Sequence, residues 1–110
     1  MVEVDGAGCF EGRRLKSLQI LNLRNNHISS IESFSTCYNL VEIDISGNRI
    51  ADIRNLNLFM KLKKFYGNDN LFEYLDSFSF IPNLKILQLE NNKIIDLEDA
   101  LSILSELPKL

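Results

Sequence analysis

Few side chains in this sequence are of the types that perform catalysis or bind metals. His27 is the single histidine, and the two cysteines, Cys9 and Cys37, stand far apart. A zinc site needs three or four Cys, His or carboxylate ligands at short spacings, and a catalytic histidine needs a nucleophile or carboxylate beside it. Neither pattern is present, and the adjacent carboxylates of Glu98 and Asp99 are better explained as helix-start charges. We therefore expect no enzyme activity, no metal site and no cofactor.

The glycines near the amino terminus suggest one other kind of site. Gly6 and Gly8 form a Gly-x-Gly pair, a feature of phosphate-binding turns. Such a turn needs a strand before it and a helix after it, and the surrounding sequence predicts neither. Residues 1–14 are therefore predicted to be an irregular segment, either a loop or a degraded cap.

A pattern of apolar residues and asparagine recurs every 22 residues through the rest of the chain. It reads L-x-x-L-x-L-x-x-N-x-I in its clearest copy, residues 84–94. Position 1 of the four copies is Leu18, Leu40, Leu62 and Leu84. Further apolar residues recur at positions 14 and 17 and three residues before each copy. A unit of this size cannot bury its apolar side alone, so the copies are predicted to stack into a solenoid with one continuous core.

Alternation within each repeat predicts its secondary structure. Positions 4 and 6 are mostly apolar and positions 3, 5 and 7 mostly polar, which indicates a strand over positions 3–7 with one buried side. Neighbouring strands would form a parallel sheet on the concave side, and the return segments would form short helical turns on the convex side. The fourth return is longer by one helical turn, begins with Asp96, Glu98 and Asp99, and stops at Pro108, so it is predicted to be a true helix.

Two features concern the interior of this predicted solenoid. Position 9 carries an amide side chain, which both donates and accepts hydrogen bonds and so can satisfy buried turn groups between repeats. We predict a structural ladder of Asn26, Asn48, Asn70 and Asn92. Gly67 occupies position 6, where the other repeats have Leu23, Ile45 and Leu89. The third strand is therefore expected to kink, or Phe65 or Tyr66 to fill the space left by the missing side chain.

The repeats resemble those of the leucine-rich repeat superfamily. The 22-residue unit with Ile or Leu at position 14 is similar to the intracellular subfamily typified by a regulatory subunit of protein phosphatase 1, and similar units occur in the U2 spliceosomal A-prime protein and acidic nuclear phosphoproteins. The resemblance implies an α/β fold, a right-handed solenoid, over residues 15–110, with a fifth repeat beginning at Leu110. Bacterial internalins also use 22-residue units, but their signal peptides and Ser/Thr-rich repeats are not matched here.

The outward positions of the predicted strands define a candidate binding face. Tyr66 is its expected anchor, because a large amphipathic ring among polar neighbours is typical of interface hot spots. The predicted partner-binding residues are Ile20, Asn22, Arg24, Glu42, Asp44, Ser46, Lys64, Tyr66, Asn68, Ile86, Gln88 and Glu90. The sequence thus predicts a non-catalytic module that binds a protein partner on its concave face. Two alternatives remain: a structural subunit of a ribonucleoprotein particle that clasps an RNA-binding protein, and a secreted internalin-like adhesion repeat.

The composition limits which classes of binding partner and which cellular compartment are expected. Of 110 residues, 15 are acidic and 12 basic, giving a net charge of −3 with the signs interspersed. This balance argues against direct nucleic-acid or membrane binding, which needs clustered Lys and Arg. The absence of Cys-rich caps favours a reducing, intracellular setting, in the cytoplasm or the nucleus. Because a fifth unit begins at the last residue, we expect a fragment of a longer protein, or a short protein whose uncapped ends are closed by a partner or by self-association.

Overall fold

A computed structural model of the chain describes residues 2–3, 18–30, 37, 39–51 and 59–110. Within these residues, five strands form one parallel sheet whose order follows the chain. The strands are β1 (Val2–Glu3), β2 (Ile20–Asn22), β3 (Glu42–Asp44), β4 (Lys64–Tyr66) and β5 (Ile86–Gln88). Equivalent positions of consecutive repeats pair in register, as in Leu21 with Ile43 and Ile43 with Phe65. The predicted α/β solenoid is confirmed.

The return segments that the structure describes are helical. A 3₁₀-helix spans Asp76–Phe80, and an α-helix, α1, spans Leu97–Ser105 and packs against it. The Asp96 side chain caps α1 by accepting a hydrogen bond from the Asp99 amide at 3.0 Å. The helix ends three residues before Pro108, as the sequence predicts. The first two predicted return segments fall largely on 31–36 and 52–58, outside the described residues.

Two predicted boundaries are corrected by the structure. The strands cover positions 3–5 rather than 3–7, and the residue at position 8 then turns the chain with a positive φ of 55° to 73°. These turn residues are Asn25, Gly47, Asp69 and Asn91. Asn, Asp and Gly are the residues that adopt this conformation at least cost. The second correction is β1, since Val2 and Glu3 pair with β2 although they belong to the segment predicted to be irregular. Residues 4–14 lie outside the described part.

One apolar core runs along the solenoid between the sheet and the return segments. The side chains at position 1 of repeats 2 to 4 have no exposed surface, and those at position 4 of repeats 1 to 3 are almost fully buried. Cys37, which occupies a recurring apolar position, is fully buried as well. The core residues include Leu21, Leu23, Ile28, Leu40, Ile43, Ile45, Ile50, Leu62 and Leu84. The repeat pattern therefore marks the core directly.

Aromatic rings replace the missing side chain at Gly67. Phe65 and Phe78 stack edge to face with ring centroids 4.9 Å apart, and Phe72 lies 6.3 Å from Phe65. A Cβ atom on Gly67 would stand 2.8 Å from a Phe65 ring carbon and 3.0 Å from a Phe72 ring carbon. The gap expected at Gly67 is thus filled by Phe65 and Phe72, and Tyr66 stays half-buried on the other side of the strand.

We expect Gly67→Ala to lower the free energy of unfolding by about 1–3 kcal/mol, because both rings must shift. Phe72→Ile, which restores the aliphatic residue found at position 11 in the first two repeats, should relieve this strain. The free energy of unfolding of the double variant, measured by urea denaturation, should therefore exceed the value obtained by adding the two single effects by at least about 0.5 kcal/mol. Ile28→Val is the control, because Ile28 lies at position 11 two repeats before Phe72. Its effect on the free energy of unfolding should simply add to that of Gly67→Ala. Additive effects for the Gly67 and Phe72 pair would contradict this packing.

Candidate functional site

The amide side chain of Asn48 joins two repeats. Its Oδ1 accepts hydrogen bonds from the Asn26 and Ile28 amides at 3.0 and 2.9 Å. Its Nδ2 donates to the Leu23 and Ile45 carbonyls, both at 2.8 Å. Only 7% of Asn48 is exposed, so water cannot readily replace these partners. The side chain satisfies main-chain groups that the turn after the strand would otherwise leave buried and unpaired.

The other predicted ladder residues lie in the same column. Asn70 Oδ1 accepts from the Ile50 amide at 3.1 Å, and Asn92 Oδ1 accepts from the Phe72 amide at 3.0 Å. Asn26 Nδ2 donates to a carbonyl of its own turn at 3.0 Å. Asn48 and Asn70 are buried, whereas Asn26 and Asn92, in the first and last repeats, are half-buried. This column fixes the spacing of the turns that border the open face of the sheet.

The structure places the predicted partner-binding residues at unequal depths on that face. Those that are exposed are Arg24, Lys64, Ile86, Gln88 and Glu90. Those that are half-buried are Ile20, Asn22, Glu42, Asp44, Tyr66 and Asn68. Ser46 alone is buried, with 4% of its surface exposed.

The burial of Ser46 departs from its predicted place on the accessible face. Its hydroxyl oxygen accepts a hydrogen bond from the Asn68 amide at 3.2 Å. One repeat later, Asn68 Oδ1 accepts from the Glu90 amide at 2.8 Å. These position-7 side chains therefore support the turn of the following repeat, and Ser46 offers little surface to a partner.

Seven of the twelve predicted residues line one depression of about 310 Å³ on the concave face. They are Arg24, Glu42, Asp44, Ser46, Tyr66, Asn68 and Gln88. Tyr66 is the only aromatic ring among them. Asn68 Nδ2 donates to Gln88 Oε1 at 3.1 Å, and this bond holds together two of the side chains that line the depression with Tyr66. Ile20 on β2 and Ile86 on β5 lie outside this lining.

Charges on the face are balanced across neighbouring strands. Arg24 Nη1 lies 3.5 Å from Asp44 Oδ2, and Lys64 Nζ lies 3.8 Å from Glu42 Oε1. Asp44 also accepts a hydrogen bond from the Ser46 amide at 3.0 Å, which holds its carboxylate in place. Exposed pairs of this kind contribute little to folding stability, but they position charges that a partner can meet. The depression is therefore polar, mixed in sign and built around one ring.

Among the other residues singled out for chemistry, Cys9 lies outside the described residues. His27 is exposed on the turn after β2. Across the described ranges, no three His, Cys, Asp or Glu side chains stand close enough together to bind a metal ion. The same ranges contain no helix of the length and apolar character needed to cross a membrane.

Comparison with known proteins decides the family. A family model described as leucine-rich repeats in two copies matches residues 16–58. The crystal structure of an internalin C2 from Listeria monocytogenes superposes with a TM-score of 0.80 at 30% identity, covering 87% of this chain and 41% of that one. The chain belongs to the leucine-rich repeat superfamily. The resemblance predicted from the repeats is confirmed.

The relatives that this chain resembles differ widely in their names. The chain is 33% identical to a probable U2 small nuclear ribonucleoprotein A′ of Caenorhabditis elegans, over 86% of this chain and 38% of that protein. It is 34% identical to a probable inactive serine/threonine-protein kinase of Dictyostelium discoideum, over 87% of this chain and 6% of that protein. The chain thus spans less than half the length of these relatives.

The left-handed turn at position 8 was not predicted from the sequence. The signal was present, because that position reads Asn25, Gly47, Asp69 and Asn91, all residue types that tolerate a positive φ. At Gly47 a Cβ atom would meet the Asn25 side chain of the preceding repeat, which would have to move to admit any other residue. This turn directs position 9 inward and thereby creates the asparagine column.

We expect Asn48→Ala to lower the free energy of unfolding by about 1–3 kcal/mol, because two amides and two carbonyls lose their buried partner. Asn92→Ala is the matched control: the same change at a half-buried position should cost less, since water can reach the freed groups. Chemical denaturation of both variants measures the difference. Equal midpoints for the wild type and Asn48→Ala would show that the column does not stabilise the stack.

Proposed function

We propose that the chain is a non-catalytic protein-interaction module that binds a protein partner on its concave face. The observation that carries this proposal is the depression around Tyr66, which is built by side chains from four consecutive repeats. Arg24, Asp44, Tyr66 and Gln88 come from repeats 1, 2, 3 and 4 in turn. A surface of this composition, with one ring among charged and amide groups, suits protein recognition better than the binding of a small apolar ligand.

The backbone beneath this face is held before any partner arrives. The asparagine column and the main-chain bonds between strands keep the position-3 and position-5 side chains in register. A partner would therefore lose little free energy in ordering the binding surface. This favours recognition of a folded surface or a peptide by a rigid face, with Tyr66 as the anchor.

A second function is favoured by one comparison. Similarity to the probable U2 small nuclear ribonucleoprotein A′ extends over 86% of this chain, which supports a structural subunit of a ribonucleoprotein particle. In that case the concave face would clasp an RNA-binding protein rather than RNA, in agreement with the net charge of −3. The same relative supports an intracellular location, in the cytoplasm or nucleus. The internalin similarity leaves an adhesion function as the alternative.

The partner is best sought by affinity capture with the tagged chain, followed by mass spectrometry. Tyr66→Ala and the wild type should be used in parallel, so that proteins lost from the variant are assigned to the concave face. A candidate partner is then purified and its affinity measured by isothermal titration.

We expect Tyr66→Ala to weaken partner binding by about 2 kcal/mol or more, because it removes the central ring of the depression. Its free energy of unfolding should change by less than about 1 kcal/mol, since the ring lies outside the core. Tyr74→Ala is the control, because Tyr74 is 55% exposed and does not line the depression. A Tyr66→Ala chain that binds normally but unfolds early would refute the assignment of this face.

Salt dependence separates protein recognition from direct RNA contact. For a protein partner, we expect affinity to fall by less than about tenfold between ~50 and ~200 mM salt, because few counterions are released on binding. For single-stranded RNA, a surface that neutralises six or more phosphates would lose at least about three-hundredfold in affinity over the same range. The measurement is isothermal titration at both salt concentrations, with single-stranded RNA of matched length as the comparison ligand. If affinity for the captured partner fell as steeply as expected for phosphate contacts, recognition through protein contacts would be contradicted.

A further inference from the structure

Lysine side chains gather where the strands begin. Because β2 to β5 are parallel and in register, the residues just before them lie along one rim of the sheet. This rim is formed by two repeat positions, the one immediately before position 1 and position 2. Four of the chain's 12 basic residues occupy these positions, and all four are exposed. They are Lys61, Lys63, Lys85 and Lys109, which together form the lysine rim.

The positive charge of the lysine rim is not offset locally. The other residues that the structure describes at these two positions have amide or apolar side chains, with no Asp or Glu among them. Lys61 Nζ donates to Asn39 Oδ1 at 2.8 Å, and Lys109 Nζ donates to Asn83 Oδ1 at 2.7 Å. None of the four lysines forms a salt bridge with a described carboxylate. Amide oxygens therefore position two of the ammonium groups without neutralising them.

The opposite rim of repeats 3 and 4 carries the opposite charge. It is formed by positions 7–13, which follow the strands. In these two repeats its charged residues are Asp69, Glu73, Glu90, Lys93 and Asp96. Charges that are interspersed along the sequence are thus segregated by the fold, because residues 22 apart in the chain become neighbours in the sheet. The concave depression around Tyr66 lies between the two rims.

We propose that the lysine rim binds an extended segment of the protein partner that is rich in Asp and Glu. This second contact rests on the protein-binding function proposed above and adds the charge and the orientation of the partner. The acidic segment crosses the strands of repeats 3 and 4, with its carboxylates facing Lys61, Lys63 and Lys85. Because the opposite rim repels the same segment, the partner lies across the concave face in one direction only.

The spacing of the lysines suits an extended acidic chain. The Lys85 amide donates to the Lys63 carbonyl at 2.8 Å, so these lysines belong to neighbouring strands. Neighbouring strands lie about 4.8 Å apart and alternate side chains of an extended chain about 7 Å apart, which long lysine side chains can match. Lys64, next along the chain, pairs with Glu42 at 3.8 Å, and Glu42 lines the depression with Tyr66. A segment on the rim therefore continues directly into the concave site.

RNA phosphates are the other polyanion that lysines bind, and the rim suits them less well. Single-stranded RNA is held largely by rings that stack on its bases, and the described residues at the two rim positions include no aromatic side chain. Arginine, the residue that pairs with phosphate through two hydrogen bonds, is absent from them as well. The net charge of −3 repels a long polyanion, whereas a short acidic segment meets only the lysines.

The test is an NMR titration of the ¹⁵N-labelled chain with an end-blocked peptide of about ten residues that alternates glutamate and serine. The matched control peptide has glutamine in place of glutamate. We expect saturable binding with the largest shifts at the Lys61, Lys63 and Lys85 amides, and at least about tenfold weaker binding of the glutamine peptide. No binding, or equal binding of the two peptides, would overturn the proposal. Tighter binding of a single-stranded RNA of equal charge would also overturn it, in favour of a phosphate ligand.

Charge-reversed variants locate the bound peptide. Lys63→Glu combined with Lys85→Glu should weaken binding by at least about tenfold, because the rim then repels carboxylates. Lys63→Gln combined with Lys85→Gln, a milder change at the same exposed positions, should weaken it by at least about threefold. The matched control is Arg49→Glu combined with Lys93→Glu, the same change in net charge at two exposed position-10 residues outside the rim. Equal losses from the two charge-reversed variants would show non-specific attraction and contradict a site at the rim.

The captured partner separates this contact from the concave site. Reversing the charges of Lys63 and Lys85 should weaken partner binding by at least about fivefold, chiefly by slowing association. Tyr66→Ala should leave binding of the glutamate peptide unchanged. A partner that needs Tyr66 but tolerates reversal of the rim charges would refute the lysine rim and leave the concave site in place. A partner that tolerates Tyr66→Ala but not reversal of the rim charges would refute the concave site instead.

Discussion

Buried hydrogen bonds from one asparagine side chain per repeat are the interaction on which this structure depends. The left-handed residue at position 8 ends each strand and turns main-chain amides into the interior, where water cannot satisfy them. Asn48 and Asn70 bond these groups to the neighbouring repeat. Without such a partner the turn would carry unpaired polar groups, and the strands would lose the junction that holds them in register. The apolar core supplies most of the stabilisation, but the asparagines determine where each repeat stands relative to the next.

The character of the proposed binding surface follows from that stacking. On the concave side, the fixed register brings seven side chains from four repeats around a single depression, so recognition is distributed over the solenoid. This surface is polar, with a single aromatic ring. The proposed concave site therefore depends on side-chain identity.

Much of the fold could be predicted because its determinants are local and repeated. The spacing of leucine and asparagine predicted the strands, the core and the position of the asparagine column, and the acidic residues before α1 together with Pro108 predicted the last helix. Features that depend on contacts between repeats were harder to foresee. The burial of Ser46 follows from its bond to the Asn68 amide, and the filling of the space at Gly67 follows from how three rings pack. β1 pairs with the sheet although the segment around it lacks the repeat pattern, so only the structure shows it.

Hydrogen exchange at position 11 tests the central claim most directly. The amides of Ile28, Ile50 and Phe72 each donate to an asparagine side chain of the next repeat, and the Ile94 amide has no such acceptor within the described residues. Residue-resolved exchange in the wild-type chain should show the first two amides exchanging only through global unfolding, Phe72 nearly as slowly, and Ile94 orders of magnitude faster. Equal exchange rates at all four amides would show that the asparagine bonds do not hold the repeats together.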